Sequence, residues 1–356
     1  VNGKKVERGE DKDYTINYNA GEILFNSTFP IMSDMRIQVE YQVSEKNFNS
    51  FFGFTKVEFK KNKFKHNISF YNENDIKDQP LLQNISADQI ESLSNAGDNS
   101  ELMNVPTGTL TPYNENRILY KKEIINNVEI FVYSNNPDDE LYDVNFTNVS
   151  QNQGDYILLT NNAIDNIYEY RPPINGEKQG NFEPITRLVA PEKLQLLSYN
   201  SAYEINNNSK INLELATSKK DKNLFSSNDD TDNTGFASKV NYKSENTLFK
   251  SKFFTEIDIN YIEKNFRVIE RIYNTEFNRD WDLNENILGN YNQLFSKAII
   301  GLNNKKLGSL DYSFENLNYK NYFNGVRNTV SIISNQKRNL RFNSNSSIMK
   351  SDQNDY

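Results

Sequence analysis

The densest run of side chains able to bind or react lies between Arg267 and Asp282. There Arg267, Glu270, Arg271, Glu276, Arg279 and Asp280 alternate in sign beside Trp281, the single tryptophan of the chain. A guanidinium can grip a carboxylate or phosphate through two parallel hydrogen bonds, and it stacks on aromatic faces. Two readings stay open. Arg267, Glu270, Arg271, Arg279 and Trp281 could form a surface for a ligand or partner, or a plug in a lumen. Alternatively, the charges pair with one another and fix the loop, which is the commoner use of such a pattern.

A second candidate is Asp229-Asp230-Thr231-Asp232-Asn233-Thr234-Gly235. Hard oxygens at alternate positions before a turn glycine could wrap a Ca²⁺, with Asp230 and Asp232 as ligands. The pattern lacks the acidic residue that closes a twelve-residue calcium loop, because Asn241 stands at that place. The other reading is a solvated acidic loop. Calcium is therefore the one cofactor the sequence raises.

Other chemistries have little to work with. His66 is the only histidine and cysteine is absent, so a histidine triad or a thiolate metal site has no parts. His66 reads as a strand residue between Phe64 and Ile68. No phosphate-cradling glycine motif is present among the 14 glycines, which removes support for nucleotide binding. Carboxylate pairs for glycoside hydrolysis cannot be picked from 48 acidic residues without geometry. No enzyme activity is expected. Asn67, Asn84, Asn145, Asn148, Asn207 and Asn345 match a glycosylation acceptor pattern at about the frequency that so asparagine-rich a chain produces by chance.

The elements that must hold these residues are strands. Net charge is −8 and pI about 5.1, so a broad nucleic-acid footprint is not expected. Aromatic residues make up 13%, almost all Phe and Tyr, yet mean hydropathy is −0.78. Aromatics at alternate positions with polar residues between them suit a sheet wet on one side and apolar on the other. Ile257, Ile259 and Tyr261 oppose Glu256, Asp258 and Asn260; Leu310, Tyr312 and Phe314 oppose Asp311, Ser313 and Glu315. No apolar run is long enough for a helical membrane span. A soluble Asn/Lys-rich β protein is the blander reading of the same composition.

From Leu194 to Met349 the predicted strands are joined by links that alternate in length. Short links fall at residues 206–209, 244–247, 303–306 and 335–337; long ones precede Gly235 and span 263–291, and a medium one lies around Tyr319. An outer-membrane barrel has minimal turns on one side and free loops on the other. Phe48 to Lys60 and Phe64 to Tyr71, joined by Lys61-Asn62-Lys63, add a hairpin of the same kind and bring the count to ten strands.

The predicted fold is therefore mainly β: an antiparallel up-and-down meander, read as part of an outer-membrane β-barrel. It divides into a small β module over 1–45, with a turn at Asn19 to Gly21 and a strand over Arg36 to Val43, a first hairpin over 46–72, an insertion over 73–192 and the meander over 193–356. The insertion is predicted to hold a helix near 87–95, capped by the Ser86-to-Gln89 box with Ile90 and Leu93 inward and Gly97 as the stop. Residues 98–116 read as loop, followed by six short strands, one of them over Tyr142 to Asn148, in a sandwich-like cap.

Particular stretches point to a family. Gly9 to Ile23 resembles the GxDYxIDYxxGxIxF element of large surface and outer-membrane proteins of Bacteroidota, an element that also occurs in the type IX secretion translocon barrel. Ile31 to Lys46, Phe70 to Pro80, Gly176 to Pro184 and Arg187 to Leu196 extend the similarity. The resemblance implies a cell-surface, outer-membrane location, contact with the lipid bilayer and with other surface or secretion proteins, and a chain that is an internal fragment of a longer barrel. It carries no catalytic residues. The expected role is a non-enzymatic barrel segment whose loop-side cap meets a ligand, partner or cargo. The rivals are a soluble or surface-attached β-rich binding module, for glycans for example, and a hydrolase built on the insertion.

Overall fold

The structure, a computed structural model, describes residues 5–9, 11–17, 22–26, 29–32, 35–37, 39, 47–81, 85–161, 166–248, 250–274, 276–283, 289–335 and 341–352. The turn expected at Asn19 to Gly21, most of the strand expected over Arg36 to Val43, and the Gln336-Lys337 turn lie outside them. In the N-terminal module β1 (Tyr14–Asn17) pairs antiparallel with β2 (Glu22–Phe25). Asn26 holds the preceding loop by donating to the carbonyls of Gly9 at 2.8 Å and Lys12 at 2.9 Å.

β3 (Phe48–Lys61) and β4 (Phe64–Pro80) form the first long hairpin. Its tip is Asn62, in the left-handed region at φ 53°, a conformation asparagine tolerates. β4 outruns the predicted Phe64 to Tyr71. Glu73 and Asn74 find partners in Leu194 and Lys193, and Asp75 lies opposite Ser50. Paired neighbours on both sides override a polar stretch with low strand propensity.

The insertion opens with α1 (Ala87–Ala96). The predicted capping box is present: the Gln89 amide donates to Ser86 Oγ at 3.3 Å, and the Ser86 amide donates to Gln89 Oε1 at 2.9 Å. Gly97 ends the helix at φ 62°. Leu93 is buried as expected, but Ile90 is exposed, and Ala96 is the second buried position. The helix rests on Met103, Leu188 and Ala190, which lie under the turn that carries Leu93 and Ala96 and leave Ile90 uncovered.

Ten short strands follow: β5 (Asn104–Pro106), β6 (Thr109–Leu110), β7 (Tyr120–Ile125), β8 (Val128–Tyr133), β9 (Tyr142–Asp143), β10 (Thr147–Asn148), β11 (Tyr156–Asn161), β12 (Asn166–Tyr170), β13 (Phe182–Glu183) and β14 (Ile185–Arg187). β5 and β6 arise within a stretch read as loop. The strand predicted over Tyr142 to Asn148 is split into β9 and β10, each serving a different sheet. The sheets run β6-β9-β7-β8 and β10-β13-β11-β12, with β14-β5 as a separate pair. Tyr120, Phe131, Val144 and Tyr156 fill the space between the two larger sheets. Two tyrosine hydroxyls link them. The Phe131 amide donates to the Tyr156 hydroxyl at 2.8 Å, and the Tyr168 amide donates to the Tyr120 hydroxyl at 3.0 Å. Burial pushes the Tyr156 phenol up to about 12, so it stays a neutral acceptor.

The remaining strands are β15 (Lys193–Asn206), β16 (Ser209–Asp221), β17 (Thr234–Leu248), β18 (Ser251–Ile262), β19 (Gln293–Asn304), β20 (Gly308–Tyr319), β21 (Phe323–Asn335) and β22 (Arg341–Ser351). They continue the β3–β4 hairpin into one antiparallel sheet of ten strands, in the order β3-β4-β15-β16-β17-β18-β19-β20-β21-β22. The connections follow chain order, with the insertion between β4 and β15. Among the described residues the sheet is not closed, and β3 and β22 are its edges. The β3–β4, β15–β16, β17–β18 and β19–β20 turns lie at one end. The insertion, residues 222–233 and the described residues between 263 and 292 lie at the other, together with the short Lys320-Asn321-Tyr322 turn, where the sequence predicts a medium link.

Register fixes what each face presents, because partners across a ladder point to the same side. One face carries Phe59, Ile68, Leu197, Leu213, Val240, Ile257, Ile259, Ile300, Tyr312 and Val330. The opposite face carries Glu58, Asn67, Asn200, Glu214, Lys239, Asp258, Lys297, Glu315 and Arg327. Exposure is inverted relative to a soluble sheet. Phe59, Ile259 and Ile300 are 50%, 43% and 48% exposed, whereas Asn241, Asn260 and Glu315 are 7%, 8% and 5% exposed.

Candidate functional site

The polar face is built from the alternate residues that the strand period turns away from the apolar side. Across β16, β17 and β18 it forms a hydrogen-bonded ladder. Asn212 donates to Asn241 at 3.3 Å, and Asn241 donates to Asp258 at 3.1 Å and to Glu256 at 3.3 Å. Lys243 pairs with Glu256 at 2.8 Å and Lys239 with Asp258 at 3.6 Å. These residues, with Glu58, Lys65 and Lys210, line an open trough of about 680 Å³. Acidic and basic side chains are balanced along it, so the trough suits hydrated polar matter rather than one strongly charged ligand.

Toward β21 the polar face carries a tighter group. Glu315 accepts from Arg327 Nε at 2.6 Å and pairs with Lys297 at 2.9 Å. The three residues stand on adjacent strands, Lys297 opposite Glu315 and Glu315 opposite Arg327. Above them sits Trp281, fully buried, with the Arg327 guanidinium 4.7 Å from its ring centre. Such a stacked, desolvated cation is a favourable partner for an indole.

Trp281 is delivered by the β18–β19 connection, which folds down over the polar face through α2 (Phe277–Asp280). Its neighbours Phe295, Leu317, Tyr319 and Phe323 form an apolar island at the loop end of the polar face. Tyr273 and Phe277 stack at 3.9 Å and lie edge-on to Phe295. Gly325 makes the seat: a Cβ there would lie 3.0 Å from Trp281 Cε3 and 2.7 Å from Phe323 Cζ. Gln293 ties the loop down by donating to the Tyr273 hydroxyl at 2.7 Å while accepting from the Tyr319 hydroxyl at 3.1 Å. Burial raises the Tyr273 phenol above its ordinary range.

The residues singled out from sequence do not converge on one surface. Arg267 bonds locally: its amide donates to Ser218 Oγ and its guanidinium to the Lys264 carbonyl, both at 2.8 Å. Glu270 and Arg271 are exposed. Arg279 pairs with Glu276 at 2.6 Å and Asp280 at 2.9 Å, so that part of the run is an ion-pair network. Trp281 faces the sheet, not solvent. His66 lies on the apolar face, 2.8 Å from the Tyr199 hydroxyl and stacked between Phe59 and Phe64.

The acidic loop has a structural task. Asp229 accepts the Asp98 amide at 2.7 Å just beyond α1. Asn223, fully buried, donates to the carbonyls of Leu93 at 2.7 Å and Gly97 at 2.6 Å, which the helix end leaves without partners. Phe225 packs on the same cluster. Asp230 and Asp232 lie in a single 3₁₀ turn, where Asp230 accepts from Asn233 at 2.9 Å. Among the described residues no group of three or more His, Cys, Asp or Glu side chains gathers as a metal site.

Glu315, Arg327, Gly325 and Asn223 escaped the sequence reading. A signal existed for the first two. Once the Asn304-to-Gly308 turn is placed, counting back along the hairpin sets Lys297 opposite Glu315, and the next hairpin sets Glu315 opposite Arg327. Nothing local marks Gly325 or Asn223, whose partners are remote in the chain.

Residues 1–45 match the family model described as Domain of unknown function (DUF8818). No curated protein matches the chain, and no solved structure matches it.

Proposed function

We propose that the ten-stranded sheet is part of the wall of an outer-membrane β-barrel. In this reading its apolar face meets lipid, its polar face lines a wet interior, and the 73–192 insertion is a loop-side cap that contacts a ligand, partner or secreted cargo. The role is one of support and recognition, without catalysis. One observation carries the reading: large apolar side chains such as Phe59, Ile259 and Ile300 are exposed along one face, while Asn241, Asn260 and Glu315 on the other are buried. A single sheet in water would lose stability from both facts. Hydrocarbon outside and water inside remove both costs.

Further features support it. Each of the strands β3, β4 and β15 to β22 has 11 to 17 residues, enough for the roughly 9–11 that a tilted strand needs to cross a bilayer. Turns are short at one end, and three of the four connections at the other are long. No helix among the described residues is long and apolar enough to cross a membrane, and the proposal requires none.

The decisive experiment is refolding of the chain with and without lipid. Heat-modifiable, protease-resistant insertion into phosphatidylcholine vesicles is expected, with aggregation in their absence. A folded, monodisperse protein in buffer without detergent would remove the membrane reading and the partner roles that depend on it.

A further inference from the structure

We propose that the short-turn rim of the sheet binds the headgroups of anionic phospholipids through Lys61, Lys63, Lys250, Lys305 and Lys306. The inference rests on the reading that the apolar face lies in hydrocarbon, and it adds which lipid that end of the sheet selects.

Lysines on the polar face are largely neutralised: Lys239, Lys243 and Lys297 each pair with a carboxylate. The rim is different. All five rim lysines are exposed, and none of them forms an ion pair with a described residue. Lys63 donates to the Ile205 carbonyl at 2.7 Å and keeps its charge. An ammonium on a long apolar stem at the edge of an apolar wall is suited to reach a phosphate while its stem stays against the wall.

The apolar face next to the rim is rich in rings. Phe59, Phe64, His66 and Tyr203 stack in a row on β3, β4 and β15, and Phe253 follows on β18. Rings at this level are the usual companions of a headgroup layer. Leu307, at the tip of the β19–β20 turn, is 73% exposed and continues the apolar surface to the rim.

Spacing separates a lipid layer from a compact ligand. The lysines occupy the β3–β4, β17–β18 and β19–β20 turns, six strand positions from first to last, or roughly 30 Å of arc at the interstrand spacing. They stand at one level without converging. A row of separate headgroups fits that arrangement; one small anion does not. The far end has the opposite character, since acidic residues over 81–192, the part of the insertion beyond β4, outnumber basic ones by more than two to one.

The test compares insertion of the full chain into vesicles of phosphatidylcholine alone and of phosphatidylcholine mixed with phosphatidylglycerol. The variants are Lys61→Gln/Lys63→Gln/Lys250→Gln/Lys305→Gln/Lys306→Gln and its all-arginine counterpart. Phosphatidylglycerol should raise wild-type partitioning by about tenfold or more at low salt, and high salt should erase most of the gain. The glutamine variant should enter neutral vesicles as wild type does but lose the preference, and the arginine variant should keep it. Equal wild-type partitioning into both vesicles, or a preference that survives the glutamine changes, would overturn the inference while leaving the membrane reading standing. Failure of the wild type to enter either vesicle would overturn both. Inorganic phosphate is the competing probe: loss of the preference at millimolar phosphate but not at matched chloride would assign the rim to free anions instead of lipid.

Discussion

The Arg327 guanidinium lies 4.7 Å from the centre of the Trp281 ring while its Nε donates to Glu315 at 2.6 Å. One cation therefore joins the connection that carries Trp281 to the wall of the sheet beneath it. That connection covers the loop end of the polar face.

Because Trp281 is the only tryptophan and is fully buried, its fluorescence reports on the seating of that connection directly. Native protein should emit at short wavelength and resist acrylamide. Gly325→Val should shift the emission to the red and admit the quencher, because the new side chain occupies the space of the indole. Trp281→Ala should lower stability by about 3–5 kcal/mol, the usual cost of removing a buried aromatic. An unshifted spectrum in Gly325→Val would show that the indole does not use that seat.

Glu315 neutralises two cations at a buried position. Glu315→Ala leaves Lys297 and Arg327 facing one another without a counter-charge, at a cost of about 3–5 kcal/mol. Glu315→Gln should cost less, since it keeps an acceptor for Arg327. Equilibrium unfolding of the three proteins measures the order wild type, glutamine, alanine; equal stability of all three would show the triad to be a bystander.

The two faces of the sheet should tolerate charge unequally. Ile257→Arg places a cation on the apolar face and should reduce the free energy of folding into vesicles by about 2–4 kcal/mol. Ser331→Arg, on the polar face, should change it by under about 1 kcal/mol. Equal penalties at the two sites would mean that the faces meet the same medium.

Asn223 decides whether the insertion is docked. Its amide satisfies two carbonyls at the end of α1, so Asn223→Ala should cost about 2 kcal/mol. Amide exchange should quicken in α1 and in residues 222–229, leaving β15 to β22 protected. Exchange that quickened evenly along the chain would show the insertion and the sheet to be one cooperative unit.

Asp98 contributes a pH dependence at the same junction. Burial, followed by the nearby charge of Asp229, raises its carboxyl above the ordinary value of 3.8. Folding therefore favours its protonated form. Stability is greatest below the unfolded value, falls as pH rises through the raised folded value, and stays lower at neutral pH. Asp98→Asn should gain about 0.5 kcal/mol at pH 7, a small figure because the group is partly exposed, and nothing near pH 3. Thermal melts across that range provide the measurement, and a gain independent of pH would assign it to something other than this carboxylate.

Much of the architecture could be read directly from residue order. Period-two alternation in Ile257 to Tyr261 and Leu310 to Phe314, with short polar links such as Asn303 to Lys306, locates the ten strands and their antiparallel pairing. Local geometry suffices there, since a strand alternates by its own pleat and a short turn sets its register. Ser86, Gln89 and Gly97 likewise mark α1, because caps act within one helical turn. The split of Tyr142 to Asn148 between two sheets was hidden, as was the exposure of Ile90, because both depend on which surfaces arrive from elsewhere. The same limit governs the site. Sequence alone shows that Arg267 to Asp282 is charged and holds a tryptophan. Only the folded chain sends Trp281 onto Phe295 and Arg327, and Asp229 to the end of α1. Those choices join residues tens to more than a hundred positions apart, and contact over such separations is decided by how strands and loops pack in space.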